Sequence, residues 1–189
     1  MYLLVGLGNP GLKYKKNRHN IGYMTIDTIV KKYNFKEKNK NKFGEVFEGK
    51  ILNEKIFTLK PKDFMNLSGM SINKFLNFYK INIKNLIVIH DDIDLPLGKI
   101  KIKIGGGDGW HNGLKNINSI IGKNYKRIRI GIDRPKDNTK VDKFVLKNFE
   151  KKEEKEIFFS INRITSFLQY LVSSNVNDIS VLMNKLSEK

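Results

Sequence analysis

The residues best suited to chemistry lie between positions 90 and 113. His90-Asp91-Asp92 ends an apolar run at 86–89, and Gly105-Gly106-Gly107-Asp108-Gly109 leads into Trp110-His111-Asn112-Gly113. Imidazole and carboxylate groups at the end of an apolar strand build sites more often than cores. So dense a glycine run marks a close approach by a ligand or another stretch of backbone. Between the two, Lys99, Lys101 and Lys103 alternate with Ile100, Ile102 and Ile104, and Arg127 and Arg129 alternate likewise further on. Each set occupies one face of its strand, which suits a polyanionic partner. The same alternation describes an ordinary solvated face. Two basic faces flanking one glycine-rich site leave the readings about even.

Other motifs admit a bland and a chemical reading. Arg18-His19-Asn20 precedes a helical stretch. His19 is then either a surface residue beside an Asn cap or a general base where the helix dipole favours the neutral form. All three histidines, His19, His90 and His111, neighbour Asn, Asp or Gly in loop or strand-end contexts, which points at least one of them to chemistry. Asp91 and Asp92 could hold Mg²⁺. However, successive strand side chains diverge and only Asp94 accompanies them, so orienting a histidine is the simpler role. No cluster of three metal ligands is evident. In Lys60-Pro61-Lys62-Asp63-Phe64-Met65-Asn66-Leu67-Ser68-Gly69 the spacing alone reads as a strand stop with Asn66 or Ser68 as helix cap. The alternative sets Asn66 in a cleft as amide donor and acceptor, walled by Phe64 and Met65.

Gly6-Leu7-Gly8-Asn9-Pro10-Gly11 matches the dinucleotide fingerprint, with Asp27 placed for a ribose contact. That fingerprint needs a helix starting inside the glycine run. Residues 12–19 have no apolar periodicity, so the run reads as a tight loop presenting Asn9. The glycine run at 105–109 lacks a following Gly-Lys-Ser/Thr, and no serine sits in a nucleophile elbow.

The elements that must position these groups follow from periodicity. Strands are predicted at 2–7, 43–52, 55–59, 86–89, 99–104 and 127–132. Helices are predicted at about 20–33, along Ile72, Phe75, Leu76 and Tyr79, along Leu114, Ile117 and Ile120, and over 151–172. A last short helix carries Ile179, Leu182, Met183 and Leu186. Residues 36–42 and the stretch after Pro135 read as polar connections. Alternating helices and strands predict an α/β fold, one globular domain over 1–189 with a central mixed sheet flanked by helices. The chain has 189 residues, no cysteine and a net charge of +17, with pI ≈ 9.9. Disulfides, thiolate nucleophiles and cysteine-held zinc are thereby excluded. No apolar run nears the ~20 residues of a membrane span, and the first residues lack the pattern of a signal peptide, so a soluble, cytoplasmic protein is expected. The charge points to nucleic acid or an anionic surface. The abundance of Lys, Asn and Ile with no alanine also fits AT-rich codon drift, so the positions of the charges must decide.

Taken together and in order, Gly6-Leu7-Gly8-Asn9-Pro10-Gly11, Arg18-His19-Asn20-Ile21-Gly22, Phe64-Met65-Asn66-Leu67-Ser68-Gly69, His90-Asp91-Asp92 and His111-Asn112-Gly113-Leu114 resemble bacterial peptidyl-tRNA hydrolases. Arg127 to Pro135 and Phe144-Val145-Leu146 resemble the family too, from Tyr2 to about Phe149 overall. The resemblance implies hydrolysis of the ester between a peptide and the 3′-terminal ribose of tRNA by a histidine-activated water. It implies His19 as base and Asp91 as its orienting partner. Asn9, Asn66 and Asn112 would hold the peptide backbone and scissile carbonyl, with Tyr14, Met65 and His111 lining the cleft. Lys103 and Arg129 would clamp the tRNA 5′-phosphate. It implies no cofactor or metal, peptidyl-tRNA as partner, no membrane and no obligate protein partner, with a monomer as the default. Trp110 and Asp133 stand where the family usually has glycine, which predicts a narrower rim and an added negative charge near the clamp. A non-catalytic RNA-binding module and a nicotinamide enzyme are the alternatives. The intact His19, Asp91, Asn9, Asn66 and Asn112 speak against the first, the missing helix after Gly11 against the second.

Overall fold

The computed structural model describes residues 1–38, 42–135, 139–173 and Leu186. Its strands are β1 (Tyr2–Gly6), β2 (Lys36–Glu37), β3 (Gly44–Ile51), β4 (Glu54–Pro61), β5 (Leu86–Asp92), β6 (Ile100–Ile104) and β7 (Lys126–Gly131). Its helices are α1 (Ile21–Lys32), α2 (Ser68–Tyr79), α3 (Asn112–Ile121), α4 (Val141–Val145) and α5 (Lys151–Ser173). The strands form one seven-stranded sheet in the order β2-β3-β4-β1-β5-β7-β6. β4, β1, β5 and β7 run parallel, while β3 and β6 join their neighbours antiparallel. The fold is the expected α/β arrangement with a mixed sheet between helices.

Strand alternation sorts the core into two layers. Leu4, Ile87, Ile89, Ile128 and Ile130 pack with Ile26 of α1 and Ile157 and Ile161 of α5. Leu3, Val5, Leu86 and Val88 pack with Ile72 and Phe75 of α2 and Leu114 and Ile117 of α3. From β1 the chain leaves through α1 to β4 on one side, then crosses through α2 to β5 on the other. Ligand crevices in parallel sheets form at the carboxyl ends of strands beside such a reversal. Here those ends deliver Asn9, Met65 and Asp91.

The first glycine run serves packing. A Cβ on Gly22 would lie 2.4 Å from the Leu7 nitrogen and 2.5 Å from the Ile89 carbonyl oxygen, and one on Gly6 would meet the Gly22 backbone. α1 therefore crosses β1 and β5 at backbone contact. No helix starts in the run: 3₁₀ turns at Leu12–Tyr14 and Arg18–Asn20 precede α1. That geometry removes the dinucleotide reading.

Three local expectations change. The strand predicted to stop at 89 continues through His90, Asp91 and Asp92, because β7 pairs with it to the end, His90 opposite Arg129 and Asp91 opposite Ile130. The polar stretch after Pro135 contains α4, whose Val145 is buried. Within the loop at 36–42, β2 pairs with β3. The predicted last helix lies outside the described residues except for Leu186, which is buried. No helix among the described residues is long and apolar enough to cross a membrane.

Candidate active site

Asp91 is the hub. Its side chain alternates onto the α1 face of β5, where both carboxylate oxygens lie 2.9 Å from His19 Nδ1. Its Oδ1 is also 3.1 Å from His111 Nε2. The hydrogen-bond network assigns the tautomers. His111 is the N-cap of α3, its Nδ1 accepting from the backbone N–H groups of Gly113 and Leu114, so its Nε2–H donates to Asp91. His19 has only a carboxylate to face at Nδ1, so Nδ1–H donates and Nε2 keeps the lone pair. Burial alone would push the Asp91 carboxyl up, but the charges and hydrogen bonds of His19 and His111 override it and hold the group well below the usual carboxylate range.

His90 alternates to the other face. Its Nδ1–H donates to the Asp91 carbonyl oxygen at 2.7 Å, and its Nε2 is buried without a hydrogen-bond partner. Burial first, then the neighbouring charge of His111, pulls its pKa down to about 3. His90 is a neutral residue packed behind His111, with ring centroids 5.1 Å apart.

His19, Asp91 and His111 do bring three metal-ligating groups within 4.8 Å, a cluster the spacing in the chain did not disclose. Both histidines spend N–H groups on the carboxylate, which is the geometry of a hydrogen-bond relay. Asp92 is taken by Arg129, whose Nε donates to its Oδ2 at 2.6 Å, and Asp94 by Arg134. The Asp91-Asp92-Asp94 metal reading therefore lacks its ligands.

Asn20 is not the helix cap that its position suggests, since its side chain makes no capping bond to α1. Instead its Oδ1 accepts from the Asn9 N–H and its Nδ2 donates to the Asn9 carbonyl, both at 2.9 Å. Asn9 Oδ1 in turn accepts from the Met65 N–H at 2.9 Å, so the Asn9 amide NH₂ remains as a donor. Met65 is buried against Gly113, where a Cβ would come within 2.6 Å of its sulfur. Asn66 is exposed on the same turn, and neither it nor Ser68 caps α2 through its side chain. Tyr14 is half-buried, edge-on to Phe64, and Asn112 is exposed at the start of α3.

The two basic strand faces prove to be one. β6 and β7 pair antiparallel with Lys101 opposite Arg129 and Lys103 opposite Arg127, and opposed residues share a face. Arg127 is buried and donates to the carbonyls of Gly105 and Gly107, so it shapes the glycine loop. Lys103 stays exposed over Gly106.

With this geometry in view, comparison with known proteins is informative. The family model described as "Peptidyl-tRNA hydrolase" matches residues 3–189. The peptidyl-tRNA hydrolase of Bartonella henselae is 44% identical over 188 residues, covering 100% of this chain and 96% of that one. The one from Rickettsia peacockii is 46% identical over 189 residues, covering 100% and 98%. The crystal structure of peptidyl-tRNA hydrolase from Acinetobacter baumannii superposes with a TM-score of 0.91 at 36% identity, covering 98% of this chain and 94% of that one. The chain belongs to the peptidyl-tRNA hydrolase family.

Two residues that build the candidate site were not given that role by spacing. Asn20 is one. The other is Arg18, buried beside His19: it donates to Glu153 Oε2 at 2.6 Å and to the Asn148 carbonyl, and it lies 4.5 Å over the Phe144 ring. It fixes the histidine turn from behind. A buried arginine and a buried asparagine flanking a histidine were the available signal, but burial is not visible in the chain. Of the two departures from the family pattern, Asp133 adopts a positive φ of 60° and accepts from the Leu97 N–H at 3.0 Å. It ties down the β5–β6 connection, and the carboxylate bound to Arg129 is Asp92. Trp110 is 93% exposed, on the lip of the cleft.

Proposed function

We propose that this chain hydrolyses the ester linking a peptide's carboxyl end to the 3′-terminal ribose of tRNA. His19 Nε2 takes a proton from water, and the resulting hydroxide attacks the carbonyl carbon. The imidazolium is stabilised by Asp91 through Nδ1–H. The tetrahedral oxyanion receives hydrogen bonds from asparagine amides, with Asn9, Asn66 and Asn112 as the donors, each worth about 3 kcal/mol of barrier. Collapse breaks the C–O bond, and the proton passes from His19 to the leaving ribose oxygen. Peptide and free tRNA result. An ester is activated enough for this without Lewis acid or cofactor.

The observation that supports this reading most is the pairing of His19 Nδ1 with Asp91 at 2.9 Å, which leaves Nε2 as the proton acceptor in a cleft. Tyr14, Met65 and His111 line the peptide path, and Lys103 and Arg129 hold the tRNA 5′-phosphate. The chain acts as one domain over residues 1–189 and as a cytoplasmic monomer, with no obligate protein partner. The direct test is release of peptide from peptidyl-tRNA by the purified protein with a chelator present. Turnover is expected to survive chelation. Loss of activity with recovery on added zinc or magnesium would sink the water-and-histidine mechanism.

A further inference from the structure

We propose that Trp110 is a specificity residue that stacks on the base of the 3′-terminal nucleoside. This inference rests on the ester-hydrolase reading and extends it to the leaving group. Trp110 is the only tryptophan in the chain. Its indole stands 93% exposed, and none of the described aromatic rings packs on it. Its φ of 64° is one that a bulky L residue rarely adopts. Packing does not explain that conformation; the loop imposes it. Asp108 Oδ1 accepts from the Trp110 N–H at 3.0 Å, and the Asp108 carbonyl accepts from the His111 N–H at 3.0 Å. The turn therefore ties the indole to the next residue, His111, whose ring bonds Asp91.

The cleft beneath the indole also contains His19 and Asp91 and holds about 240 Å³. Its described lining offers Asp92, Asp108 and Asp142 with apolar Ile93 and Val145, and no Lys or Arg. Such a lining disfavours phosphate. It suits a neutral, flat group with hydroxyl and amine donors, which describes a nucleoside. Covalent geometry agrees. The ester and the base are carried by the same ribose, so a carbonyl held at His19 leaves the base within one sugar ring of it. With Asn9 and Met65 holding the peptide side, the leaving ribose falls on the side of Trp110. The same glycine loop is bonded by Arg127 of the basic strand face, so the RNA backbone can continue from the nucleoside toward Lys103.

The test compares wild type, Trp110→Gly and Trp110→Phe on peptidyl-tRNA with an intact 3′-terminal adenosine and on the same substrate lacking only that base. Glycine accepts the positive φ, so the variant should fold. For wild type, removing the base should raise KM about tenfold, the scale of one base–aromatic stack. Trp110→Gly should raise KM about tenfold on the intact substrate and leave it unchanged on the abasic one. Trp110→Phe should keep most of the affinity. The single tryptophan supplies a second readout: its fluorescence should be quenched by adenosine carrying a peptide on a 3′-amide. An unchanged KM in Trp110→Gly, equal losses on both substrates, or unquenched fluorescence at saturation would each overturn the stacking role. Absence of turnover by wild type on the intact substrate would instead overturn the hydrolase reading itself.

Discussion

His19 and His111 compete for one carboxylate, and their second nitrogens separate their roles. His111 uses Nδ1 to cap α3, so it has no lone pair left for a proton, whereas His19 Nε2 does. His19→Ala should therefore lower kcat by at least ~10²-fold. His111→Ala should cost less activity and about 1 kcal/mol of stability through removal of the cap. Near-normal turnover in His19→Ala with a dead His111→Ala would reverse the assignment. Asp91→Asn should also lower kcat, by an amount smaller than that of His19→Ala. An amide oxygen in the place of Oδ1 can still accept from both His19 Nδ1–H and His111 Nε2–H and so hold the ring, but the negative charge is lost and the NH₂ faces His19 Nδ1–H where Oδ2 stood. Steady-state rates of the three variants, with circular dichroism to check folding, decide the order.

At the level of elements, the end of β5 carries two buried polar groups that both lose stability as pH falls, in different pH windows. His90 has its pKa lowered from 6.5 to about 3, so the unfolded chain binds a proton that the folded one refuses. Its contribution to stability is complete above pH 6.5 and is lost as pH falls toward 3, at up to ~1.4 kcal/mol per unit. Asp91 is depressed from 3.8, so its contribution is complete above that value and disappears only as pH falls through the folded value. Between pH 6.5 and 4 the fall in Tm should therefore be flatter in His90→Asn than in wild type. Parallel curves would mean that His90 does not titrate as buried and neutral. The contact of α1 with β1 and β5 makes a second demand. Gly22→Ala places a methyl within 2.4–2.6 Å of three backbone atoms. It should destabilise by about 1–3 kcal/mol, seen as a Tm lower by several degrees, and turnover should fall as His19 is carried off Asp91.

Across the whole molecule, the net charge of +17 is useful only where it is placed. Lys101, Lys103, Arg127 and Arg129 share one face of β6 and β7, and Arg127 is committed to the glycine loop. Lys103→Ala or Arg129→Ala should raise KM for peptidyl-tRNA with little change in kcat, because a bound phosphate stabilises ground and transition states alike. The dependence of affinity on salt should become shallower by nearly one unit of log–log slope for each phosphate left without its cation. Removing the 5′-phosphate of the tRNA should mimic these variants and add little to them. Lys151→Ala and Lys155→Ala, on α5 against the opposite layer, are the controls. Equal effects at all four positions would make the charge a diffuse field and remove the clamp.

Local pattern was enough to disclose the α/β class, most strand and helix cores, and the motif order that resembles the family. Periodicity and glycine placement are properties of neighbours in the chain. Local pattern also showed that Gly6 to Gly11 opens no helix. It could not show that β5 runs on through Asp92, since that extension is set by β7, more than thirty residues away. It could not merge the basic faces of β6 and β7, which needs their register. Nor could it reveal that Asn20 grips Asn9, that Arg18 braces His19 from α5, or that His111 shares Asp91 with His19. Those roles depend on burial and on distances between groups far apart in sequence. Residue types and spacing suggested which groups could act; only the tertiary structure decided which nitrogen is left to take a proton, because that depends on what each of the others already bonds.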